Sequence, residues 1–296
     1  METDHSTGTP ATTDWGSRLT AENRSIDVDG DSLVYRRFGN VRTDAPPLLF
    51  LQHFRGNLDS WDPLLVDRLA QDREIILLGN RGVGASTGAV PDNVRDMTRD
   101  VIRFLDALGL DQVDVLGFSL GGYIAQELAL LRPRLVRRLV LAGTAPRGAS
   151  HIHRWSDAVY ALATQDETSP EMFIRLFFSG SEESRARGMH YLKRASARQT
   201  DRDARTDLAT RDAQLAAITE WGIPDTSKLE RLAAIIQPTF AASGDNDAMM
   251  RTENSYLLAR RLPNAQLRIY PDSGHGFLDQ SPELFADHVR AFLNGG

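Results

Sequence analysis

Residues 113–122 read Val-Asp-Val-Leu-Gly-Phe-Ser-Leu-Gly-Gly and contain a G-x-S-x-G pentapeptide, Gly117 to Gly121. A short β-rich run leads into it and a helical pattern follows at once. The chain must therefore pass from strand to helix within a few residues, which pushes Ser119 into a strained backbone conformation at the tip of the turn. Gly117 and Gly121 then lie close to neighbouring backbone, where glycine is the residue that fits. The hydroxyl stands above the sheet, near the positive end of the following helix, where a developing oxyanion is favoured. Taken alone, the pentapeptide also reads as two turn glycines and an N-cap serine. Its company decides between the two readings.

Two other stretches supply an acid and a base. Asp247 ends Ser243-Gly-Asp-Asn-Asp, just after an apolar strand, and His275 lies in Ser273-Gly-His-Gly276, just after the next one. Residues placed beyond the ends of parallel strands share the edge of the sheet that presents Ser119. Three residues distant in sequence become neighbours in this way, and their order, Ser then Asp then His, suits a strand–turn–helix nucleophile. Asp245 is a rival acid in the same turn; its plainer reading is a solvated turn aspartate.

The elements that must position these residues alternate along most of the chain. Ser25–Val28 and Leu33–Phe38 flank the turn cluster Asp29-Gly-Asp31 and predict a hairpin. Pro47–Leu51, Glu74–Leu78, Val113 onward and Val136–Ala142 are apolar runs expected of strands buried on both faces. Helical patterns fall between them, at Trp61–Gln71, Asn93–Leu108 and Gly122–Leu131. Val94, Met97, Val101, Phe104, Leu105 and Leu108 make one apolar stripe at spacings of three and four. Strand–helix alternation of this kind implies right-handed crossovers and a mostly parallel sheet. From about Pro146 to Thr226 the rhythm gives way to charged helical sequence at 155–164, 170–178, 181–196 and 207–221, which predicts an inserted helical cap. It resumes with a helix at Ser227–Ile235, strands at Thr239–Ala242 and Gln266–Tyr270, and helices at Asn254–Leu262 and Pro282–Leu293. The expected division is a flexible polar tail over residues 1–22, a core over 23–145 and 227–296, and a cap over 146–226.

Bulk properties narrow the function. The 296 residues suit one large α/β domain with an insertion, and 41% hydrophobic with 25% charged residues is ordinary globular composition. A net charge of −6 without a polybasic stretch gives no electrostatic case for nucleic acid or anionic lipid. Cysteine is absent, which removes disulfides, thiolate metal sites and cysteine nucleophiles together. No apolar run reaches bilayer-spanning length and the start of the chain lacks the apolar core of a secretion signal, so the expectation is a cytoplasmic enzyme. His151 and His153 alternate in a way that fits a strand face, but no third ligand is placed beside them, so no metal is expected. Asn80-Arg-Gly-Val-Gly84 lacks the full phosphate-loop fingerprint.

Together, Gly117–Gly121, Gly244-Asp-Asn-Asp247, Gly274-His275, Gln52-His-Phe-Arg-Gly56 and Asn80–Gly84 resemble the α/β-hydrolase superfamily, from about Arg24 to the C-terminus. Within it, the chain is most similar to esterases, haloperoxidase-like perhydrolases and carbon–carbon bond hydrolases. The resemblance implies an α/β-hydrolase fold, a mostly parallel eight-stranded sheet flanked by helices, and no cofactor. It also implies roles: Ser119 as nucleophile, His275 as base, and Asp247, at the last position of a Gly-x-x-Asp turn, as the acid orienting the imidazole. The oxyanion donors would be the backbone N–H groups of Leu120 and Phe54, the latter standing where the family commonly has glycine after histidine. The Asn80–Gly84 loop would be structural.

Around this centre, His53 reads as a buried histidine bonded to loop backbone. Arg55 either meets a substrate carboxylate or pairs with a nearby acid. Phe177, with Trp155 and Trp221, is a candidate to roof a substrate pocket, along with Tyr191 and the rest of the Met172–Phe178 patch. The partner is then a small molecule, with homo-oligomerisation open. The first expectation is a serine hydrolase cleaving a small carboxylic ester or lactone through an acyl-enzyme. Carbon–carbon hydrolysis or perhydrolysis uses the same residues, and a non-catalytic ligand receptor on the same fold is the third reading.

Overall fold

The computed structural model describes residues 16–295. Eight strands, β1 (Arg24–Val28), β2 (Asp31–Gly39), β3 (Leu48–Leu51), β4 (Glu74–Leu78), β5 (Val113–Phe118), β6 (Val136–Ala142), β7 (Thr239–Gly244) and β8 (Ala265–Tyr270), form one sheet. Their order is β1-β2-β4-β3-β5-β6-β7-β8, and β2 alone runs antiparallel to its neighbours. The expected hairpin is β1–β2. The central strands β3, β5 and β7 are buried along their whole length, whereas β8 alternates as an edge strand does.

Helices α1 (Pro63–Ala70), α2 (Val94–Ala107) and α3 (Leu120–Leu131) connect the first parallel strands. The chain steps one way across the sheet from β3 to β4 and the other way from β4 to β5 and on to β6. Right-handed crossovers therefore put α1 on one face and α2 with α3 on the opposite one. The reversal leaves a crevice between β3 and β5, where Leu51 pairs with Gly117. Loops that leave the carboxyl ends of these two strands meet at that switch point.

Between β6 and β7 lie α4 (Asp157–Ala163), α5 (Pro170–Phe177), α6 (Glu182–Ala195) and α7 (Leu208–Trp221). Each starts at a side-chain cap: Ser156, Ser169, Ser181 and Asp207 accept N–H groups of Val159, Met172, Ser184 and Thr210. These helices rest on the carboxyl edge of the sheet. The Tyr191 hydroxyl donates to Ser60 O at 2.7 Å, Arg194 Nε to Asp62 Oδ1 at 3.0 Å, and Gly276 N–H to Phe177 O at 2.6 Å.

The remaining helices are α8 (Thr226–Leu229), α9 (Glu253–Arg261), α10 (Phe277–Gln280) and α11 (Pro282–Leu293). Two details depart from the sequence reading. The helix expected over Ser227–Ile235 is a short α8 followed by a 3₁₀ segment, Glu230–Ala234. Pro238 disfavours helical backbone at Gln237, which leaves little length to propagate a longer helix. The second departure concerns the polar tail expected over residues 1–22. Residues 1–15 of it lie outside the described residues, but Ser17 to Ala21 are docked. Arg18 is 0% exposed, its N–H donates to Asp67 Oδ1 at 2.6 Å, and Arg198 donates to the carbonyls of Arg18, Leu19 and Ala21. Buried guanidinium donors need acceptors, and these backbone carbonyls supply them.

Candidate active site

Ser119 occupies the tip of the turn between β5 and α3, with φ 54° and ψ −116°, a region that non-glycine residues rarely enter. The packing explains why it is held there. An added Cβ on Gly117 would lie 2.4 Å from Gly121 O, and one on Gly121 would lie 2.0 Å from Leu51 O. Both glycines of the pentapeptide therefore let α3 start directly against β5 and the end of β3. Ser119 N–H donates to Ala142 O at 2.9 Å, and its carbonyl accepts from Thr144 Oγ1 at 2.8 Å and from Gly122 N–H at 2.9 Å. Backbone bonds on both sides fix the strained residue.

The loops after β7 and β8 are fastened to one another. Asn246 N–H donates to Ser273 O at 2.9 Å, and Ser273 N–H donates to Asp245 Oδ1 at 3.1 Å. That junction brings His275 Nδ1 to 2.7 Å from Asp247 Oδ2, while Asp247 Oδ1 accepts from the N–H groups of Met249 and Met250 at 2.9 and 2.8 Å. Of the two aspartates in the turn, Asp247 reaches the imidazole; Asp245 is exposed and serves the loop junction. The imidazole ring packs on Phe118, the residue before Ser119, with centroids 4.9 Å apart. Its Nε2 is buried and has no hydrogen-bond partner among the described residues. A carboxylate oxygen accepts, so Nδ1 is the donor of this pair and Nε2 is the ring nitrogen left over. The unpartnered Nε2 thus lies beside the strained serine turn.

On the other side, residues 53–56 form a tight turn after β3, closed by Gly56 N–H to His53 O at 3.0 Å. No described residue accepts from the N–H of Phe54 or from that of Leu120, the first residue of α3. His53 is 6% exposed and its Nδ1 donates to Phe54 O at 2.8 Å. Burial pushes its pKa down to about 4, the neighbouring His275 adds to this, and the bond to Phe54 O opposes it. His53 is neutral, as a buried histidine bonded to its own loop should be.

A cavity of about 270 Å³ opens beside this centre. Its apolar walls include Phe54, Met172, Phe173, Leu176, Phe177 and Met249, and His53, Arg55 and Tyr191 also line it. Ser119 and His275 are not among its walls, but residues that touch their surroundings are. The Phe177 ring is 5.2 Å from those of His275 and His53, and it stacks on Phe173 at 4.0 Å, which stacks in turn on Tyr191 at 5.4 Å.

Of the residues expected to line a pocket, His53, Arg55 and Phe177 border this cavity, whereas Trp155 and Trp221 lie outside it. Trp221 stacks on Tyr123 at 5.0 Å and donates to Ala145 O, joining α7 to the base of α3. Trp155 packs edge-on against Phe54 and borders a separate polar cleft next to Asp247. An indole as large as these fills the junction between insertion and sheet rather than leaving space there. Among the described residues Arg55 forms no ion pair: its guanidinium donates to the carbonyls of Gln165 and Asp166 at 2.6 and 3.0 Å. Arg81 of the Asn80–Gly84 loop bonds Asp31, Val28 O and Asp100, a structural role. Sequence reasoning passed over Gln214, Met249 and Thr144. Gln214 lies mid-helix with no local pattern to mark it, whereas Thr144 has a trace in the second glycine, Gly122, whose Cβ would collide with it.

Comparison with known proteins agrees with this architecture. Residues 46–282 match the alpha/beta hydrolase fold family. A poly(3-hydroxyalkanoate) depolymerase from Ectopseudomonas oleovorans is 30% identical over 279 residues, covering 91% of this chain and 92% of that one. A Caulobacter sp. (strain K31) protein bearing a carbamate hydrolase name is 27% identical over 267 residues, covering 90% and 97%. Among solved structures, an alpha/beta hydrolase fold protein from Chitinophaga pinensis is 41% identical with a TM-score of 0.89, covering 95% of this chain and all of that one. With an eight-stranded sheet, a strained serine turn at its switch point and a family match across most of its length, this chain belongs to the α/β-hydrolase superfamily.

Proposed function

We propose that the protein is a cofactor-independent serine hydrolase that cleaves a small carboxylic ester or lactone through an acyl-enzyme. The observation that carries this reading is the buried, unpartnered Nε2 of His275, whose other nitrogen is held by Asp247 and whose ring packs on the residue before Ser119. Ser119 Oγ attacks the substrate carbonyl carbon while His275 Nε2 takes the hydroxyl proton. Charge develops on the carbonyl oxygen, and the free N–H groups of Leu120 and Phe54 are the donors that receive it. His275 then passes its proton to the departing alkoxide oxygen. Water repeats the attack on the acyl carbon, giving its proton to His275, and Ser119 leaves with that proton restored. Asp247 remains ionised throughout and stabilises the imidazolium.

In the same reading, residues 146–226 are a cap over a core of residues 23–145 and 227–296, and substrate selection lies in the space between them. The apolar side of the cavity, around Phe173, Phe177 and Met249, favours a small apolar acyl group, while Arg55, Arg202 and Arg205 line its polar side. The depolymerase name of one relative is that of an enzyme acting on a polyester, which supports ester over ketone substrates.

A fluorophosphonate probe tests the proposal. The wild type is expected to be labelled at Ser119, and Ser119→Ala and His275→Ala proteins are not. A folded wild type that takes no label, and is inert to p-nitrophenyl esters of graded acyl length, would return the chain to the ligand-receptor reading.

A further inference from the structure

The turn that carries the Phe54 N–H has an unusual third residue. Arg55 adopts φ 59° in the four-residue turn from His53 to Gly56, a position where glycine or asparagine is usual. A non-glycine residue held there is strained, and it persists only when its surroundings over-determine it. Those surroundings come from the helix α7 and the loops of the segment between β6 and β7. Arg55 N–H donates to Gln214 Oε1 of α7 at 2.7 Å, Arg55 O accepts from Thr206 Oγ1 at 3.4 Å, and the guanidinium reaches the carbonyls of Gln165 and Asp166. Every polar group of Arg55 that is bonded is bonded to that insertion.

The peptide joining Phe54 to Arg55 is consequently pinned at both ends. Its carbonyl accepts from His53 Nδ1 and its N–H donates to Gln214. Fixing that plane and the closing bond from Gly56 leaves the Phe54 N–H one direction in which to point, and it is the group left free of any described acceptor. We infer that Gln214, 1% exposed in the middle of α7, is a positioning residue that sets the second oxyanion donor, so that docking of the insertion assembles the oxyanion site. The inference rests on the acyl-enzyme reading. It also explains how arginine can follow Phe54: the strain of the turn is offset by four contacts supplied from outside the sheet domain.

The test compares Gln214→Met, which keeps length and volume but replaces the carbonyl oxygen with a weakly accepting thioether, with Gln214→Glu, which keeps the acceptor. Loss of one oxyanion donor lowers kcat by about 10² to 10³, and a donor left in place but misdirected should cost roughly tenfold to a hundredfold. Gln214→Met is expected to lower kcat by that amount with KM within about threefold, and to weaken phenylboronic acid, a tetrahedral mimic, in parallel. Gln214→Glu is expected to restore kcat to within about fivefold of wild type, which a merely structural loss would not predict. If the Met variant fails to fold, Gln214→Asn, one methylene shorter, is expected to show the same split. A folded Gln214→Met or Gln214→Asn protein with kcat unchanged, or with KM and thermal stability alone affected, overturns the inference while leaving the hydrolase reading intact. A wild type inert to both esters and the phosphonate probe defeats the hydrolase reading and this inference with it.

Discussion

Nδ1 of His275 lies 2.7 Å from Oδ2 of Asp247, in a pair whose side chains are 1% and 0% exposed. A buried carboxylate needs its lone pairs occupied, and here the imidazole N–H shares the task with the N–H groups of Met249 and Met250. The ring cannot rotate without stranding Asp247, so one tautomer and one orientation are selected. His275 therefore turns Nε2 away from Asp247 as a consequence of the Asp247 turn.

Asp247→Asn tests that dependence. The amide can keep the bonds to Met249 and Met250 but no longer enforces a proton on Nδ1, and kcat on a p-nitrophenyl ester is expected to fall by roughly 10³ to 10⁴ with KM little changed. Asp245→Asn, at the loop junction, is expected to stay within a few-fold of wild type. Equal losses in the two variants would count against Asp247 as the orienting acid.

His53 gives the protein a pH signature unrelated to turnover. Its folded pKa of about 4 lies below the ordinary 6.5, so the unfolded chain takes up a proton that the folded chain refuses. The stability it contributes is fully present above pH 6.5 and is lost as pH falls toward 4, by up to about 3 kcal/mol. Urea midpoints measured from pH 7 to pH 4 are expected to fall less steeply in His53→Gln than in wild type. Parallel slopes would mean that His53 takes up its proton as readily in the folded chain as in the unfolded one.

Phe177 touches both His53 and His275 and forms one end of the aromatic stack along the cavity. Phe177→Ala enlarges the cavity next to the reacting centre and removes a ring that packs on the base. Hydrolysis of short acyl esters is expected to weaken, while the ratio of kcat/KM for long over short acyl chains rises about tenfold, the scale of one or two methylene contacts. An unchanged ratio across the ester panel would show that acyl groups bind elsewhere.

Gly121→Ala places a methyl group against Leu51 O, which is backbone in a central strand and cannot swing aside. The expected cost is about 3 kcal/mol or more, read as a drop in the chemical-denaturation midpoint with the m-value unchanged. Since Leu51 leads directly into the 53–56 turn, residual folded protein should also lose activity. An alanine variant as stable as wild type would show that α3 can recede from β3.

The sequence determined the parts of this protein that are set locally. Apolar runs such as Leu48–Leu51 and Val113–Phe118 fix buried strands, Gly117 and Gly121 bracket a serine that must turn sharply, and Ser or Asp caps start the helices of the insertion. The placement of Ser119, Asp247 and His275 at one edge of the sheet is legible because each follows a strand, and parallel strands share that edge. Tertiary structure decided what depends on contacts between distant segments. Which aspartate meets the imidazole followed from the junction of two loops, and Trp155 and Trp221 became packing because the insertion docks where it does. Arg55 and Gln214 are 159 positions apart and carry no mutual signal in their spacing. A hydrogen bond across such a separation exists only after both elements have been placed, because its 2.7 Å geometry is a property of their packing and of neither sequence alone.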